Sequence, residues 1–247
     1  MSDTAPDRGN GPADPAPLLS RDDLAGRFGD LARTLHAETD VAHTLDAIVR
    51  AAVDTVPGAA HAGIMRVEGR SRITTPAATD KLVQQVDQVQ YETGQGPCLT
   101  ALYDEHTVRM PDVAQDGRWP EFAVGAQALG VGSMLSFQLY AADDAVGALN
   151  LYAPAPHAFD DGSEHVGLLF AAHAAVALAN AEQHEQLTEA VRTRDLIGQA
   201  KGILMERYKL TGEQAFALLV RGSQQTNVKL RDLAEHLVHS GELTVRD

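Results

Sequence analysis

The sequence has few features of secreted or membrane proteins. Its single cysteine, Cys98, excludes an intramolecular disulfide and a metal site built from several cysteines. No apolar run approaches the roughly 20 residues that span a bilayer. Residues 1–20 are acidic, rich in proline and glycine, and lack the basic and apolar regions of a signal peptide, so we expect a disordered tail. These absences predict a cytoplasmic protein.

Positive charge is also scarce, and it is unevenly distributed. The net charge is −14, which argues against a uniformly basic nucleic-acid binder. Residues 192–232, however, contain eight Lys or Arg and four Asp or Glu, a net charge of +4 that leaves −18 on the rest of the chain. Negative charge repels nucleic acid from most of the surface, so only this C-terminal segment offers it a landing surface.

Hydrophobic spacing predicts two helices near the start of the chain. Aromatic residues make up only 5% of the sequence, so Leu, Val, Ile and Ala must build the core. Apolar residues recur at helical spacing over residues 22–38, and again in a second helix that Thr39 or Asp40 caps and Pro57-Gly58 ends. The expected buried positions are Leu24, Phe28, Leu31 and Leu35, then Leu45, Ile48, Val49, Ala52 and Val53.

The next hundred residues predict an α+β domain. Two strands, 61–67 and 71–76, flank a turn at 68–70, and Thr107 to Met110 forms a short third strand. "GSMLSFQLY" and "AVGALNLYA" form a hairpin with Asp143-Asp144 at its turn. Helices are expected over residues 80–90, near 120–129, and from Asp161 to about Arg194. This order predicts an antiparallel sheet with flanking helices.

Residues 21–180 resemble a GAF domain of the actinobacterial regulator type. The resemblance rests on the "GQGPC" loop, the "PDV" that follows a short strand, and the "GALNLYA" strand. It implies a signal-sensing domain with a pocket between its sheet and the surrounding loops. By position, the candidate pocket residues are Arg109, Trp119, Phe122 and Ser136, and no residue set identifies the small molecule that would bind there.

The long helix continues past the sensor domain as a linker, residues 181–194. Apolar and small residues follow a heptad pattern along it, interrupted by Gln183 and Arg194. The segment from Glu182 to Arg194 has few apolar residues and is marginal as an isolated helix in water. Pairing with a second copy would stabilise it, so we expect a parallel homodimer. The a and d positions are Val166, Leu169, His173, Val176, Asn180, Leu187, Ala190 and Ile197.

Two glycines interrupt the helical stretch "DLIGQAKGILMERYK", residues 195–209. Each costs about 1 kcal/mol relative to alanine in a helix interior. A wheel with about 100° per residue places Gly198 and Gly202 beside Arg194 and Lys201, on the face opposite the apolar stripe. Glycine on that face removes side-chain bulk and lets another backbone approach, either an RNA strand or the partner helix of a dimer.

Two further helices complete a C-terminal bundle. Thr211 and Gln214 form a capping box that begins the first of them, and Ala215, Phe216, Leu219 and Val220 are expected to point inward. Asn227 is the expected N-cap of the last helix. Lys229 would lie in that helix's first turn, where a cation opposes the helix dipole but suits an anion-binding helix N-terminus. The expected buried positions of the last helix are Leu230, Leu233, Ala234, Leu237 and Val238.

Residues 188–244 resemble an ANTAR domain, the three-helix RNA-binding module of bacterial antiterminators. "IGQAKGILMER", "EQAFALLVRGSQQTN" and "KLRDLAEHLV" occur in the family's order and spacing. The resemblance implies that a dimer binds paired stem-loops in leader transcripts and prevents a terminator hairpin from forming. It implies an RNA-facing surface of Ala200, Lys201, Gly202, Ser223, Asn227, Lys229 and Arg231. The wheel places Ala200 nearer the apolar side, and adds Arg194 and Gly198.

Other residue patterns do not indicate catalysis or cofactors. Cys98 lies near a probable helix start, which lowers a thiol pKa and would suit a redox sensor. A lone cysteine is more often a small buried hydrophobic residue, and we favour that interpretation. Serine and histidine occur without a nucleophile elbow, "GQG" is not followed by the residues of a phosphate-binding loop, and the histidines form no metal set. We expect no enzyme activity, cofactor or metal site.

The sequence therefore predicts a dimeric RNA-binding regulator. A GAF-like sensor would connect through the linker helix to an all-α ANTAR bundle. The only aromatic candidate for base stacking is Tyr208, so readout is expected through hydrogen bonds and loop shape. Two alternatives are a DNA-binding helix-turn-helix regulator, although the last two helices lack a recognition helix rich in base-reading side chains, and an adaptor that binds another protein.

Overall fold

The computed structural model describes residues 40–242 except 69–71, 104 and 142–143. Six residues before Asp40 are also described: Gly26, Gly29, Arg33, Thr34, Leu35 and Glu38. The predicted tail, residues 1–20, lies outside them, as do Leu24, Phe28 and Leu31 of the first predicted helix. Leu35 is helical and buried, as expected for the end of that helix.

The described chain contains seven named helices and five strands, and it confirms the α+β class. The helices are α1 Val41–Thr55, α2 Lys81–Thr93, α3 Pro97–Tyr103, α4 Pro120–Ala128, α5 Asp161–Tyr208, α6 Gly212–Thr226 and α7 Leu230–Ser240. The strands are β1 His61–Glu68, β2 Arg72–Ala78, β3 Thr107–Met110, β4 Ser133–Ala141 and β5 Asp144–Ala153.

The five strands form one antiparallel sheet in the order β2-β1-β5-β4-β3. In the central strand β5, Asn150 lies between Ser136 of β4 and Gly63 of β1. Because successive side chains point to opposite faces of a strand, Asn150 shares one face with Tyr152, while Leu149 and Leu151 share the other.

Helices cover both faces of the sheet and create two separate cores. Leu149 and Leu151 pack with residues of α1 and the first part of α5, whereas Tyr152 packs with residues of α2, α3 and α4. Residues 147–153 of β5 are buried without interruption, because helices remove water from both sides of the sheet there.

Aspartate caps determine where several helices begin. Asp40 accepts a hydrogen bond from the His43 backbone N–H at 2.9 Å, which confirms one of the two predicted caps of α1. Asp160 forms a capping box with Ser163, so α5 begins at Asp161 as predicted. Thr211 and Gln214 form the predicted capping box of α6.

The helix α5 is longer than predicted. It passes Arg194 without interruption and ends at Tyr208, a total of 48 residues or about 72 Å. Its first part packs on the sheet, Glu182 forms an ion pair with Arg66 of β1, and its last part is the first helix of the C-terminal bundle. One continuous helix therefore connects the two parts of the described chain.

Among the described residues, α5 is the one helix whose length and composition would allow it to cross a membrane. Such a result for a single helix is weak evidence, because the core helix of a soluble protein passes the same test. Here 44% of the apolar stretch is buried inside the structure.

The C-terminal bundle has a small apolar core, and it corrects two predictions. Asn227 does not cap α7: it has a positive φ of 54° and ends α6, while the N-cap position of α7 is Lys229, without a side-chain cap bond. Phe216 does not point inward: its side chain is 41% exposed, although Ala215 and Leu219 are buried. The core residues are Ala200, Leu204, Ala215, Leu219, Ala234 and Leu237.

Candidate functional site

The two helical glycines lie outside the bundle core, as the helical wheel predicts. No heavy atom lies within 4 Å of an ideal Cβ built at Gly198 or at Gly202, so both face open space. Ala200 between them is fully buried, which separates it from the outward face. The helix therefore has two positions at which a second molecule can approach its backbone.

Four of the eight basic side chains of residues 192–232 are engaged by other groups of the chain. Arg231 lies 2.5 Å from Glu189, Lys209 lies 2.7 Å from Glu206, and Arg192 lies 3.9 Å from Glu235. Arg207 donates to the Gly241 carbonyl. Within the described ranges, no hydrogen bond or ion pair engages the side chains of the other four: Arg194, Lys201, Arg221 and Lys229.

The predicted RNA-facing residues around the turn between α6 and α7 therefore differ in whether other groups of the chain already bind them. Ser223 donates a hydrogen bond to the Val228 carbonyl at 2.6 Å and holds the turn between α6 and α7. The pair with Glu189 raises the pKa of Arg231 and joins α7 to α5. Asn227 and Lys229 are exposed. Of this group, Lys229 is the cation that is available to an anionic partner.

A groove between α5 and α6 brings three predicted RNA-facing residues together with Phe216, which sequence analysis wrongly predicted to be buried. Phe216 borders it from α6, and the face of α5 supplies the rest of its lining. The residues that border it are Arg194, Asp195, Ile197, Gly198, Gln199, Lys201 and Phe216. Gly202 borders a different groove, which it shares with Gln199, Ile203, Glu206, Arg207 and Val238. The two glycines thus open onto separate grooves.

The predicted heptad positions of α5 divide into buried and exposed residues. Val166 packs against the sheet, whereas Leu169, Val176 and Leu187 are exposed, Leu187 by 60% of its side chain. Asn180 and Ala190 are also exposed. The outer face of α5 therefore has exposed apolar residues interrupted by His173, Asn180 and Gln183 along the sensor and the linker.

The second core of the sensor contains a buried carboxyl group, Asp87 of α2, which the sequence analysis missed. Its oxygens accept hydrogen bonds from Thr75 at 2.6 Å, Tyr152 at 2.5 Å and Gln90 at 3.2 Å. Burial raises the pKa of Asp87 to about 6, and the three hydrogen bonds oppose that rise. All three partners are neutral, so no positive charge offsets the cost of burying the ionised carboxylate.

Two further groups extend this polar cluster across the sheet. Ser136 donates to the Cys98 sulfur at 3.6 Å, and Asn150, its neighbour on β5, has no hydrogen-bond partner for either side-chain atom although it is fully buried. Buried amide groups are usually paired. This unpaired amide identifies the centre of the sheet as the place where a small polar molecule or water would gain hydrogen bonds.

Cys98 is part of the same cluster and is fully buried in α3. Its sulfur accepts a hydrogen bond from Gln90 at 2.8 Å, and its N–H donates to the Gln90 side-chain oxygen at 3.0 Å. Burial raises the pKa of the Cys98 thiol, which disfavours the reactive thiolate. Among the described residues, no three His, Cys, Asp or Glu side chains form a group that could hold a metal ion.

The four predicted pocket residues do not form one site. Phe122 is buried in the second core, Trp119 packs against it, and Ser136 bonds to Cys98 in the same core. Arg109 pairs with Leu135 in the sheet register, so its side chain lies on the opposite face. There it bonds to Asp161 at 2.9 Å, at the start of α5. Arg109 therefore positions the long helix rather than lining that core.

Comparison with solved structures places the first part of the chain in a known fold. The GAF domain of a phosphoenolpyruvate-protein phosphotransferase from Coxiella burnetii is 15% identical and superposes with a TM-score of 0.52, over 66% of this chain and 96% of that one. The bacteriophytochrome RpBphP3 from R. palustris is 11% identical with a TM-score of 0.57, over 76% of this chain and 44% of that one. At these identities the similarity describes the fold alone.

A third solved structure belongs to an enzyme. The reduced form of fRMsr of Staphylococcus aureus is 16% identical with a TM-score of 0.50, over 63% of this chain and 95% of that one. The same fold thus serves sensors and enzymes, so the fold by itself assigns no activity to this chain. A comparison of the sequence with curated proteins gives no match.

Family models identify both parts of the chain. The model of the GAF domain matches residues 38–179, and the model of the ANTAR domain matches residues 185–238. An ANTAR domain implies RNA-binding antitermination control, and a GAF domain implies signal sensing, so this order of domains is that of a regulator. The chain belongs to the GAF domain family and has the GAF–ANTAR architecture, with an RNA-binding ANTAR domain at the C-terminal end of its long helix.

Proposed function

We propose that the protein is a cytoplasmic, homodimeric antiterminator that binds paired stem-loops in leader transcripts when its GAF domain receives a signal. The observation that carries the proposal is the distribution of unengaged cations. Arg194, Lys201 and Lys229 lie on the ANTAR domain of a chain whose remaining surface is strongly acidic. Phosphate attraction is therefore confined to one end of the molecule.

The glycines of α5 support the same assignment. Gly198 and Gly202 have open space where a Cβ would stand, and both lie next to the cation-bearing positions of the helix. An RNA backbone that approaches there meets exposed helix backbone and positive charge without a steric barrier. Arg231 contributes less in this arrangement, because Glu189 and Asp232 already bind its guanidinium.

Dimerisation is supported by the exposed stripe on α5. Leu169, Val176 and Leu187 follow the a and d positions of a heptad, with Asn180 at an a position. A single asparagine at an a position favours a parallel, in-register pair of helices. Two parallel copies of α5 would carry two ANTAR domains side by side, which suits an RNA that contains two stem-loops.

The ion pair between Arg66 and Glu182 supports a route for the signal. Arg66 follows Met65, which is buried in the second core, and Glu182 lies where α5 leaves the sheet. A ligand or proton that changes the cluster around Asp87 would move β1 and, through this ion pair, the linker. The RNA-binding faces would then change their separation.

Binding measurements with the full-length protein test the RNA assignment. We expect a Lys201→Glu, Lys229→Glu double variant to lose binding to leader RNA while it keeps its helical content and dimeric state. Lys81→Glu is the control for reversing one charge, because Lys81 lies on α2 in the acidic body. Lys81→Glu combined with a second charge reversal at an exposed sensor residue is the control for reversing two charges. Unchanged RNA affinity in the double variant would disprove the assignment of this face.

The same assay separates the two alternative functions. DNA of the same sequence is the competitor for a DNA-binding regulator, for which α7 would be the recognition helix. That helix carries Asp232 and Glu235, which DNA phosphates repel. A protein adaptor would bind neither nucleic acid. Crosslinking RNA in the native host and sequencing what is bound would identify the transcripts.

A further inference from the structure

The groove between α5 and α6 contains an exposed aromatic ring, Phe216, together with the cations Arg194 and Lys201. Phe216 is 41% exposed, whereas Ala215 and Leu219 of the same helix fill the bundle core. The core is therefore complete without the Phe216 ring. A single exposed apolar side chain is common on protein surfaces, so the exposure of Phe216 gains meaning from the groups that share its groove.

The neighbours of Phe216 identify the chemistry of that molecule. Arg194 and Lys201 border the same groove, and no described group of the chain engages either side chain. Gly198 adds no side chain to the groove, and Asp195 is the carboxylate on its border. A flat apolar ring that shares a groove with two free cations resembles the stacking platforms with which proteins bind single-stranded nucleic acid.

The position of Phe216 on α6 connects the two groups of candidate RNA contacts. Residues seven positions apart on a helix lie on nearly the same face, so Ser223 follows Phe216 in one row along α6, and Asn227 ends the helix beyond it. This row leads from Lys201 at one end to Lys229 at the other, and the distance from Phe216 to Asn227 along the axis is about 16 Å. Phe216 therefore lies within the surface that the cations outline.

The geometry points to a base-binding site: an unpaired RNA base stacks on Phe216 in this groove, while Arg194 and Lys201 bind the phosphates on either side of it. The inference rests on the proposed RNA-binding function and adds the residue that recognises the loop. The base must be unpaired, because the faces of paired bases are covered by their neighbours in a duplex. Phe216, rather than Tyr208, is thus the aromatic residue that contacts the base.

Affinity measurements with full-length protein test the role of the ring. The probe is a pool of RNA hairpins with one fixed stem and a randomised loop, enriched once on the wild-type protein. Phe216→Leu keeps an apolar side chain but removes the ring, so we expect roughly 5- to 150-fold weaker binding, the range for loss of one stacked base. Phe216→Tyr keeps the ring and should bind within about twofold of wild type.

A fluorescent ring provides a direct readout of stacking. Trp119 is the single tryptophan, so Phe216→Trp in a Trp119→Phe background reports from the groove alone. We expect the hairpin pool to quench this tryptophan and the fixed stem without a loop to leave it bright. Tyr140→Trp on the sensor in the same background is the control for non-specific quenching, and Tyr208→Trp tests the rival position.

The outcomes distinguish this inference from the function on which it rests. If wild-type protein retains no hairpin from the pool, both fail. If it retains hairpins but Phe216→Leu binds equally well and the tryptophan at position 216 is not quenched, the function stands and the inference is wrong. If Phe216→Leu converts a dimer into a monomer, a second copy of the chain covers the ring, and the inference is again wrong.

Discussion

Replacing Gly198 and Gly202 with alanine would separate the stability of α5 from its proposed function. Both positions are helical, and an alanine methyl would meet no heavy atom within 4 Å. Because no contact is lost and no overlap is created, the change removes only the conformational cost of glycine. We expect each substitution to stabilise the helix by about 1 kcal/mol.

Amide hydrogen exchange is the assay that reports on this part of the helix. The single tryptophan lies in the sensor, so its fluorescence does not follow the ANTAR domain. A gain of about 1 kcal/mol lowers the open fraction of the helix roughly fivefold, so the amides around residues 196–206 should exchange roughly five times more slowly. The same methyl groups would narrow the approach to the helix backbone, so RNA affinity should fall although stability rises.

The alanine variants should therefore gain helix stability and lose RNA affinity at the same time. Gln199→Ala is the matched control, because it lies between the two glycines and adds no Cβ. Its effect on exchange should be much smaller, since glutamine already has a helix propensity close to that of alanine. Alanine variants that gain stability and bind RNA as tightly as wild type would refute the idea that the glycines provide clearance for RNA.

Three further predictions follow from the sensor and the linker. Burial raises the pKa of Asp87 from 3.8 to about 6, so between these pH values the folded state keeps a proton that the unfolded state loses. The free energy of unfolding should therefore fall by about 3 kcal/mol as pH rises from about 4 to 6. Denaturant titrations of Asp87→Asn should lack this decrease. Gly63→Ala would place a methyl group against Val83 and should cost about 1–3 kcal/mol in thermal or chemical unfolding, most of which Val83→Ala should restore. Leu187→Glu should convert the dimer into monomers in sedimentation, whereas Val124→Glu, at a more exposed position of α4, should not.

Sequence patterns predicted the fold well where one local interaction determines it. Asp40 and the Thr211–Gln214 pair were identifiable as helix caps because their partners lie only three residues away. The strands were identifiable because short apolar runs are bounded by turn residues; burial alternates with a period of two residues in β3, whereas residues 147–153 of β5 are buried throughout. The turn between α6 and α7 was harder, since Asn227 can either begin a helix or end one in a left-handed conformation, and the structure has the second.

The candidate residues that sequence analysis missed depend on contacts between distant segments. Asp87 lies in "KLVQQVDQVQYET", where its polar neighbours suggest a solvent-exposed position, and only the packing of α2 on β2 and β5 encloses it. Phe216 lies in an apolar run and reads as a core residue. Its exposure follows from the small size of the bundle core, which Ala215 and Leu219 already fill.

The continuous helix α5 also sets the angle between the sheet of the GAF domain and the Phe216 groove of the ANTAR domain. A helix turns by about 100° and advances 1.5 Å with each residue. One residue inserted between Glu182 and Arg194 would therefore rotate the Phe216 groove by more than a quarter turn relative to the sheet while moving it by little more than one bond length. Seven residues would restore the angle to within about 20°. The number of residues in the linker therefore affects the orientation of the Phe216 groove relative to the sheet more than the identity of those residues does.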